Sequence, residues 1–279
     1  MSSPELIYEQ TAGLATITLN RPKSLNALSR ALSDEFVEAI EETRQSTEAK
    51  VLVIRGAGEA FCVGDDITEF PYWGDANAVM SRARYYQNMA NQLEELDKIT
   101  IAAVDGYAVG GGLEITMACD FVVATERSLW GMPEVDLGIT PGWGGTTRMA
   151  RLIGRRMAKE INLIGAIHPA RRAAELALWN RVVPDGTLDE EIAKLVEVLM
   201  SKHQQGLRQL KFIINRGVEC DLYTAQGFEA LSAALTFAVN GYWKIEDADQ
   251  GAGIQGFIDK DDLWQRRRSL ALDFWAEGK

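Results

Sequence analysis

Cysteine, histidine and positive charge are all scarce in this chain of 279 residues. Its three cysteines, Cys62, Cys119 and Cys220, form no Cys-x-x-Cys pair. So sparse and odd a set argues against a disulfide framework and fits a reducing compartment. The two histidines, His168 and His203, are too far apart for metal-ligand spacing, so no metal site is expected. The net charge of −11 disfavours nucleic acid and anionic membrane surface as partners, because both need concentrated positive charge. An anionic small ligand would have to be held by a few local cations or by backbone amides. No apolar run is long enough to span a bilayer. The opening "MSSPELIYEQ" lacks the basic and apolar regions of a secretory signal and the Arg-rich character of a transit peptide. A cytoplasmic protein is expected. Also absent are a G-x-S-x-G elbow and a Walker loop, so serine-hydrolase and P-loop chemistry have no support.

What the chain does have is the composition of an ordinary globular protein, 47% apolar and 25% charged, long enough to bury a sizeable core. "LIYEQTAGLATITLNRP" alternates about a Thr-Ala-Gly turn and predicts a hairpin with Ala15, Ile17 and Leu19 on one face. Leu32, Phe36 and Ile40 are spaced by four, as on one face of a helix. "VLVIRGAG" (51–58) predicts a buried strand, residues 78–97 a helix, "TIAAVDGYAVGGG" a strand running into glycines, "LEITMACD" a short helix and "FVVAT" a strand. Strand–helix alternation continues to "RVVP" (181–184), which implies parallel pairing through crossover helices. From about residue 187 the pattern is helical. No internal repeat shows in the sequence.

Three glycine patterns compete. "GAGEAF" (56–61) follows a strand but ends in Phe61, and no helix opens there. "GAGIQG" (251–256) matches a dinucleotide fingerprint letter for letter, yet follows a polar stretch in the helical region. Both fail the strand–turn–helix context that gives the motif its meaning. "AVGGGLE" (108–114) has that context. Glycines at a helix start let a ligand approach the backbone, and first-turn amides favour negative charge, which is the layout of an oxyanion hole. It is equally the layout of a tight strand-to-helix turn. Glu114 stands in an apolar stretch, and Glu134 sits between Pro133 and a second glycine-rich loop. Two such acids beside an anion-binding backbone suit general acid–base work. Each also reads as a helix-start charge or a solvent-facing residue.

"IAAVDGYAVGGGLEITMACDF" (101–121) resembles the signature of the enoyl-CoA hydratase/isomerase family, the crotonase superfamily. "NRPKSLNAL" (20–28), "AFCVGDDITEF" (60–70), "MPEVDLGITPGWGGTTR" (132–148) and "GIQGFIDK" (253–260) fall in the family's order over nearly the whole chain. The resemblance implies an α/β crotonase spiral of ββα units over residues 1–195. An α-helical trimerisation region over 196–279 would follow, giving a homotrimer or a dimer of trimers. It implies an acyl-CoA thioester as substrate, with coenzyme A entering as part of that substrate and no separate cofactor. By position, the amides of Asp65 and Gly111 would hold the thioester oxygen. Glu114 matches the acid that activates water, Glu134 the one that protonates the α carbon, and the Gly142 amide the group that places the water. Lys23, Ser24 and Leu25, then Cys62, Val63, Asp65 and Ile67, then Phe257 and Lys260 match segments that meet CoA.

Because both acids are present, the resemblance implies an enoyl-CoA hydratase, or the reverse dehydratase, of fatty acid metabolism. Within the family the alternatives are a Δ3,Δ2-enoyl-CoA isomerase and a hydrolase cleaving a β-diketone-like acyl group. Outside catalysis, the alternative is an acyl-CoA-binding scaffold. The chain departs from the family where small residues are usual and it carries Asp65 and Trp143. Tyr72, Trp73 and Trp143 come from segments that line the acyl end in the family. Aromatic walls suit a compact or cyclic acyl group better than a long flexible one.

Overall fold

The computed structural model describes residues 4–240 and 254–276. The chain forms two compact units, the first ending at Ile192 and the second beginning at Ala193. The first unit opens with a hairpin of β1 (Leu6–Thr11) and β2 (Leu14–Leu19), turned at Ala12 and Gly13, both with positive φ. Ala15, Ile17 and Leu19 are fully buried, as the alternation predicts. Helix α1 (Arg30–Gln45) is capped by Ser29, whose hydroxyl accepts from the Leu32 amide at 3.1 Å, and buries Leu32, Phe36 and Ile40.

Two sheets then grow together. Strands β3 (Val51–Gly56), β5 (Ile99–Val104), β7 (Phe121–Thr125) and β10 (Arg181–Val183) extend the hairpin into a six-stranded sheet of order β1-β2-β3-β5-β7-β10. Every pairing after the hairpin is parallel. A second sheet of order β4-β6-β8-β9 holds the three-residue strands β4 (Ala60–Cys62), β6 (Tyr107–Val109), β8 (Leu129–Gly131) and β9 (Ile167–Pro169). The chain therefore passes three times from a strand of the first sheet to a short strand of the second, and then into a helix. These helices are α2 (Ala76–Glu94), α3 (Gly111–Ala118) and α4 (Gly145–Ile153). This is a ββα repeat in structure that has no counterpart in the residues themselves.

The segment expected as one strand, "TIAAVDGYAV", is two strands in different sheets. Gly106, at φ 79°, bends the chain between them, and a Cβ there would stand 1.9 Å from the Glu59 carbonyl oxygen. Every residue of β5 is buried, as a strand covered on both faces requires. Helix α2 begins two residues earlier than its periodicity suggests and ends three residues sooner; Asp75 caps it by accepting from the Ala78 amide at 2.9 Å.

The remaining elements of the first unit are α5 (Arg155–Ile164) and α6 (Ala170–Glu175), and α7 (Leu188–Met200) crosses the division between the units. The second unit continues as helices α8 (Gln204–Gly217), α9 (Leu222–Asn240), α10 (Ile254–Asp259) and α11 (Asp262–Ala276). Gly251 and Gly253, which begin the fingerprint-like "GAGIQG" and the "GIQGFIDK" motif, lie outside the described residues. Among the described residues no helix is long and apolar enough to cross a membrane.

Candidate active site

The three glycines at 110–112 meet three different demands. A Cβ on Gly112 would stand 2.1 Å from the Cys62 carbonyl oxygen, so this glycine lets α3 lie against β4. Gly110, at φ 53°, makes the turn into the helix, and a Cβ there would come within 3.0 Å of Glu134 Oε1. At Gly111 a Cβ would meet Gly64 Cα at 3.3 Å and Trp143 Cε2 at 3.5 Å. Gly111 is the first residue of α3, where amides have no partner inside the helix.

The companion amide is placed by a short parallel bridge. The Leu28 amide donates to the Gly64 carbonyl at 2.8 Å, and the Asp66 amide to the Leu28 carbonyl at 3.1 Å. In extended backbone successive residues face opposite ways, so the Asp65 amide turns away from that bridge. The backbones of residues 64 and 111 touch, since a Cβ on Gly64 would stand 2.8 Å from the Gly111 nitrogen. The two amides named by the sequence thus belong to adjoining stretches of backbone.

Glu114, in the first turn of α3, is 1% exposed. Its Oε1 accepts from the Trp143 amide at 2.9 Å and the Gly145 amide at 2.6 Å. The loop "GWGG" is cut to fit this carboxylate, for a Cβ on Gly145 would stand 2.6 Å from Glu114 Cγ and Oε1. Arg148 holds the same loop from behind. It donates to the Trp143 carbonyl at 3.0 Å, and it meets Glu94 and Asn91 of α2, both at 2.7 Å. Burial pushes Glu114 up to about 8, against the pull of the two amides and with the Glu134 and Asp65 charges adding to the rise.

Glu134 lies in the short turn Pro133–Leu137 and is 9% exposed. Burial raises its pKa as well, and its Oε2 is buried without a hydrogen-bond partner. Asp65 is the third acid. Burial pushes it up to about 7, with the Trp143 indole pulling down and the Glu134 charge pushing up. Asp65 Oδ1 and Trp143 Nε1 are both buried, and the indole N–H lies near enough to the carboxyl to favour its charged form. Three buried carboxyls that feel one another's charge share fewer than three negative charges at neutral pH. Among the described residues no three His, Cys, Asp or Glu side chains are placed to hold a metal ion.

The other sequence-predicted residues fall into three groups. Lys23 and Ser24 are exposed on the turn Pro22–Ser24, and Leu25 follows at φ 51°, also exposed. Asn26 fixes this turn by accepting from the Arg21 amide at 2.9 Å and donating to the Ala57 and Ala60 carbonyls at 2.9 and 2.7 Å. An ion pair of 2.9 Å between Arg21 and Asp66 ties it to the segment carrying Val63, half-buried, and Ile67, 56% exposed. Cys62 departs from expectation. It is fully buried in β4, its thiol accepts from the Gly64 amide at 3.4 Å, and burial pushes that thiol up to about 12. Its side chain supports the loop and offers nothing to a ligand. Gly142 is half-buried, and its carbonyl accepts from Gln87 at 3.0 Å. In the second unit Phe257 is 60% exposed, and Lys260 lines a surface cavity of about 390 Å³ with Trp264 and Arg268.

Of the aromatic trio, Trp73 and Trp143 both pack against Tyr86, at 6.4 and 4.3 Å between ring centres, and Tyr72 lies apart. Tyr72 is 86% exposed and faces solvent. Trp73 is half-buried, with the Arg82 guanidinium 4.8 Å from its ring centre. Trp143 is fully buried and stacked on Tyr86 at 4.3 Å, so that face of the indole is core, while its Cε2 edge abuts Gly111. Sequence reasoning missed Tyr86 and Gly145, and it marked the side chain of Asp65 only as a departure from the family's small residues. The signal for Gly145 was its pairing with Gly144 ahead of a helix. Tyr86 carried no signal beyond its place on the buried face of α2.

The family model described as enoyl-CoA hydratase/isomerase matches residues 9–266. The short-chain-enoyl-CoA hydratase of Clostridium acetobutylicum is 35% identical, over 93% of this chain and 97% of that protein. The crotonyl-CoA hydratase of Syntrophomonas wolfei is 34% identical over the same shares. The crystal structure of an enoyl-CoA hydratase from Bacillus anthracis aligns with a TM-score of 0.82 at 32% identity, over 92% of this chain and 96% of that one. A putative enoyl-CoA hydratase from Thermobifida fusca in complex with CoA aligns with a TM-score of 0.79 at 27% identity, over 85% and 95%.

Proposed function

The chain belongs to the enoyl-CoA hydratase/isomerase family, and on that premise we propose that it adds water to a 2-enoyl-CoA thioester. The observation that carries this reading is the pair of buried acids, Glu114 and Glu134, beside the adjoining amides of Asp65 and Gly111. In the forward direction the Glu114 carboxylate takes a proton from water as the water oxygen bonds to the β carbon. The double-bond electrons move onto the thioester oxygen, where the two amides meet the developing negative charge. Glu134, whose pKa burial raises, then gives its proton to the α carbon and the carbonyl reforms. Water has added in full, and proton exchange with solvent resets the two acids. The same groups run the dehydration in reverse. The first-turn position of Gly111 adds the helix dipole to the stabilisation.

Lys23, Ser24, Leu25 and Ile67, all exposed, and the half-buried Val63 support the reading as one rim suited to the CoA portion, with Lys23 a local cation on an acidic protein. Phe257 and Lys260 belong to the proposed CoA contacts on the second unit. The apolar side chains that the single chain leaves exposed on α8 and α9, Leu210, Phe212, Ile214, Leu231 and Leu235, support assembly into a trimer or a dimer of trimers. We place the protein in fatty acid metabolism in the cytoplasm on the same reading.

Addition of crotonyl-CoA tests it. Loss of the enoyl-thioester absorbance is expected. Unchanged absorbance would leave an acyl-CoA-binding scaffold, and turnover of a 3-enoyl-CoA in its place would indicate an isomerase. Molar mass in solution by light scattering reads the assembly.

A further inference from the structure

The loop that grips Glu114 is itself gripped from the other side. Gln87, Asn91 and Glu94 are spaced by four and three along α2, which puts them on one face of that helix. Gln87 donates to the Gly142 carbonyl at 3.0 Å. Arg148 of α4 divides its guanidinium between the loop and the same face. Its Nη1 donates to the Trp143 carbonyl at 3.0 Å, its Nε and Nη2 to Glu94 Oε2 at 3.0 and 2.7 Å, and its Nη2 to Asn91 Oδ1 at 2.7 Å. The two glycines that end "GWGG" seat opposite charges. A Cβ on Gly144 would stand 2.5 Å from Arg148 Nη1, and one on Gly145 would stand 2.6 Å from Glu114 Oε1.

Peptide geometry joins the two grips. A trans peptide is planar, and its carbonyl and amide point opposite ways. The Gly142 carbonyl shares a peptide with the Trp143 amide, so holding that carbonyl toward α2 aims the amide at Glu114 Oε1, which it meets at 2.9 Å. The Trp143 carbonyl, held by Arg148, fixes the next peptide, and the Gly145 amide follows it to the same oxygen at 2.6 Å. We propose that Arg148 is a positioning residue for the general base: braced on Glu94 and Asn91, it keeps the 143–145 turn closed on Glu114, so that both amides fall on Oε1 and Oε2 is left to take the proton from water. The inference rests on the enoyl-CoA hydratase reading and adds to it a residue that does not touch substrate. Opening the turn has a definite sign. The two amides favour the charged form of Glu114 against its burial and against the charges of Glu134, in the turn Pro133–Leu137, and of Asp65, in the segment after β4. Behind the loop, α4 and α2 contribute Arg148 and Glu94, paired with each other. Weaker amide bonds would therefore push the Glu114 carboxyl further up.

The test is hydration of crotonyl-CoA by Arg148→Met and Glu94→Ala, reading kcat, KM, the pH profile of kcat/KM and Tm on each. Displacing a reacting group by about 1 Å costs roughly 10²-fold, so Arg148→Met should lower kcat on that scale and change KM by less than about threefold. The rising limb of its pH profile should move to higher pH. Glu94→Ala keeps the guanidinium and removes its brace at a partly exposed position; it should lower kcat by about tenfold and move the limb the same way. Charge alone predicts the opposite shift, because removing a negative group lowers the pKa of a nearby carboxyl. Arg148→Lys, which keeps the charge and loses the planar fork, should restore little of the lost kcat. If Arg148→Met fails to fold, Glu94→Ala decides alone. A lower Tm with kcat, KM and the limb unchanged makes the role purely structural and overturns the proposal. So does a limb that moves to lower pH in Glu94→Ala. Either result with an active wild type leaves the hydratase reading intact. A wild type that hydrates no enoyl-CoA overturns that reading, and the positioning role with it.

Discussion

The two walls of the site are finished to different degrees. On one side, α3 and the 142–145 loop hold Glu114 by two amides, and Arg148 anchors the loop to α2. On the other, the segment from Asp65 to Trp73 and the inner face of α2 carry buried polar atoms that are held more loosely, the Trp143 indole near the Asp65 carboxyl and the Tyr86 hydroxyl near Arg82 and Ser33. The contrast is sharpest between neighbours. Asp66 pairs with Arg21 and caps the turn Ile67–Tyr72 through Thr68, and these bonds hold its carboxyl below the ordinary value. Asp65, one residue earlier, faces the other way and is pushed up to about 7. Groups whose partners lie within the chain are set before any ligand arrives. Groups held loosely are the ones a ligand can re-pair.

The largest effects should come from the two acids, Glu114 on the finished wall and Glu134, whose Oε2 has no partner. Glu114→Gln and Glu134→Gln are each expected to retain CoA binding and to lose about 10²–10⁴-fold in kcat. In the proposed mechanism the two acids serve one addition, so the double variant should fall far short of the product of the singles. Near-native hydration by either single variant removes that residue from the mechanism. Next is Gly145→Ala. The added methyl would collide with the Glu114 carboxylate at 2.6 Å, forcing the acid or the loop to move. A displacement of about 1 Å at a reacting group costs roughly 10²-fold, so kcat should drop on that scale while KM for the CoA substrate changes little. A variant that folds and turns over normally would show that the fit between loop and acid is unimportant.

Protonation links the two walls. Glu114 is held near 8 in part by the Asp65 charge, so kcat/KM should rise with pH through about 8 as the general base ionises. Asp65→Asn removes a neighbouring negative charge and should move that rising limb to lower pH. An unmoved limb would mean that the walls do not communicate. The sign for stability is the reverse of the usual carboxylate case. Glu114 and Asp65 sit above their ordinary values of 4.5 and 3.8, so the folded chain keeps protons that the unfolded chain releases. Stability should therefore fall as pH rises from about 4 to 8, each kcal/mol lowering Tm by about 2–4 °C. Glu114→Gln should flatten that slope.

Much of this wall could be read from the residues. Glu114 and Glu134 declared themselves as charges among apolar and glycine-rich neighbours, and the family motifs named Asp65 and Gly111 for their amides. Alternation gave the hairpin, and spacing by four gave α1. The second sheet was not legible, because its strands are three residues long and carry no period. Its break from the first sheet at Gly106 depends on a contact with Glu59, 47 positions away. The open wall was legible only as an anomaly, an aspartate and a tryptophan where small residues are usual. That Tyr72 faces solvent while Tyr86 stacks on Trp143 follows from packing across separate segments, which no local pattern encodes.

The smallest effect tests whether the second wall is open by construction. Tyr85 and Tyr86 are neighbours on α2 with opposite circumstances. The Tyr85 hydroxyl donates to Asp34 at 2.5 Å, whereas the buried Tyr86 hydroxyl has only looser contacts, with Arg82 and Ser33. Phenylalanine at either position keeps the ring, including the stack of residue 86 on Trp143. Removing a partnered hydroxyl costs about 0.5–1.5 kcal/mol, toward the lower end here because Asp34 is partly exposed; removing a loosely held buried one is close to neutral. Tyr85→Phe should therefore lower Tm by a few degrees, and Tyr86→Phe should leave it within about a degree. Thermal melts of the two variants beside wild type make the comparison directly. If Tyr86→Phe instead costs as much as Tyr85→Phe, the hydroxyl has a partner in solution that fixes it for folding, and the wall is finished after all. If it costs nothing, the hydroxyl is held in place by its ring alone, free to answer a ligand.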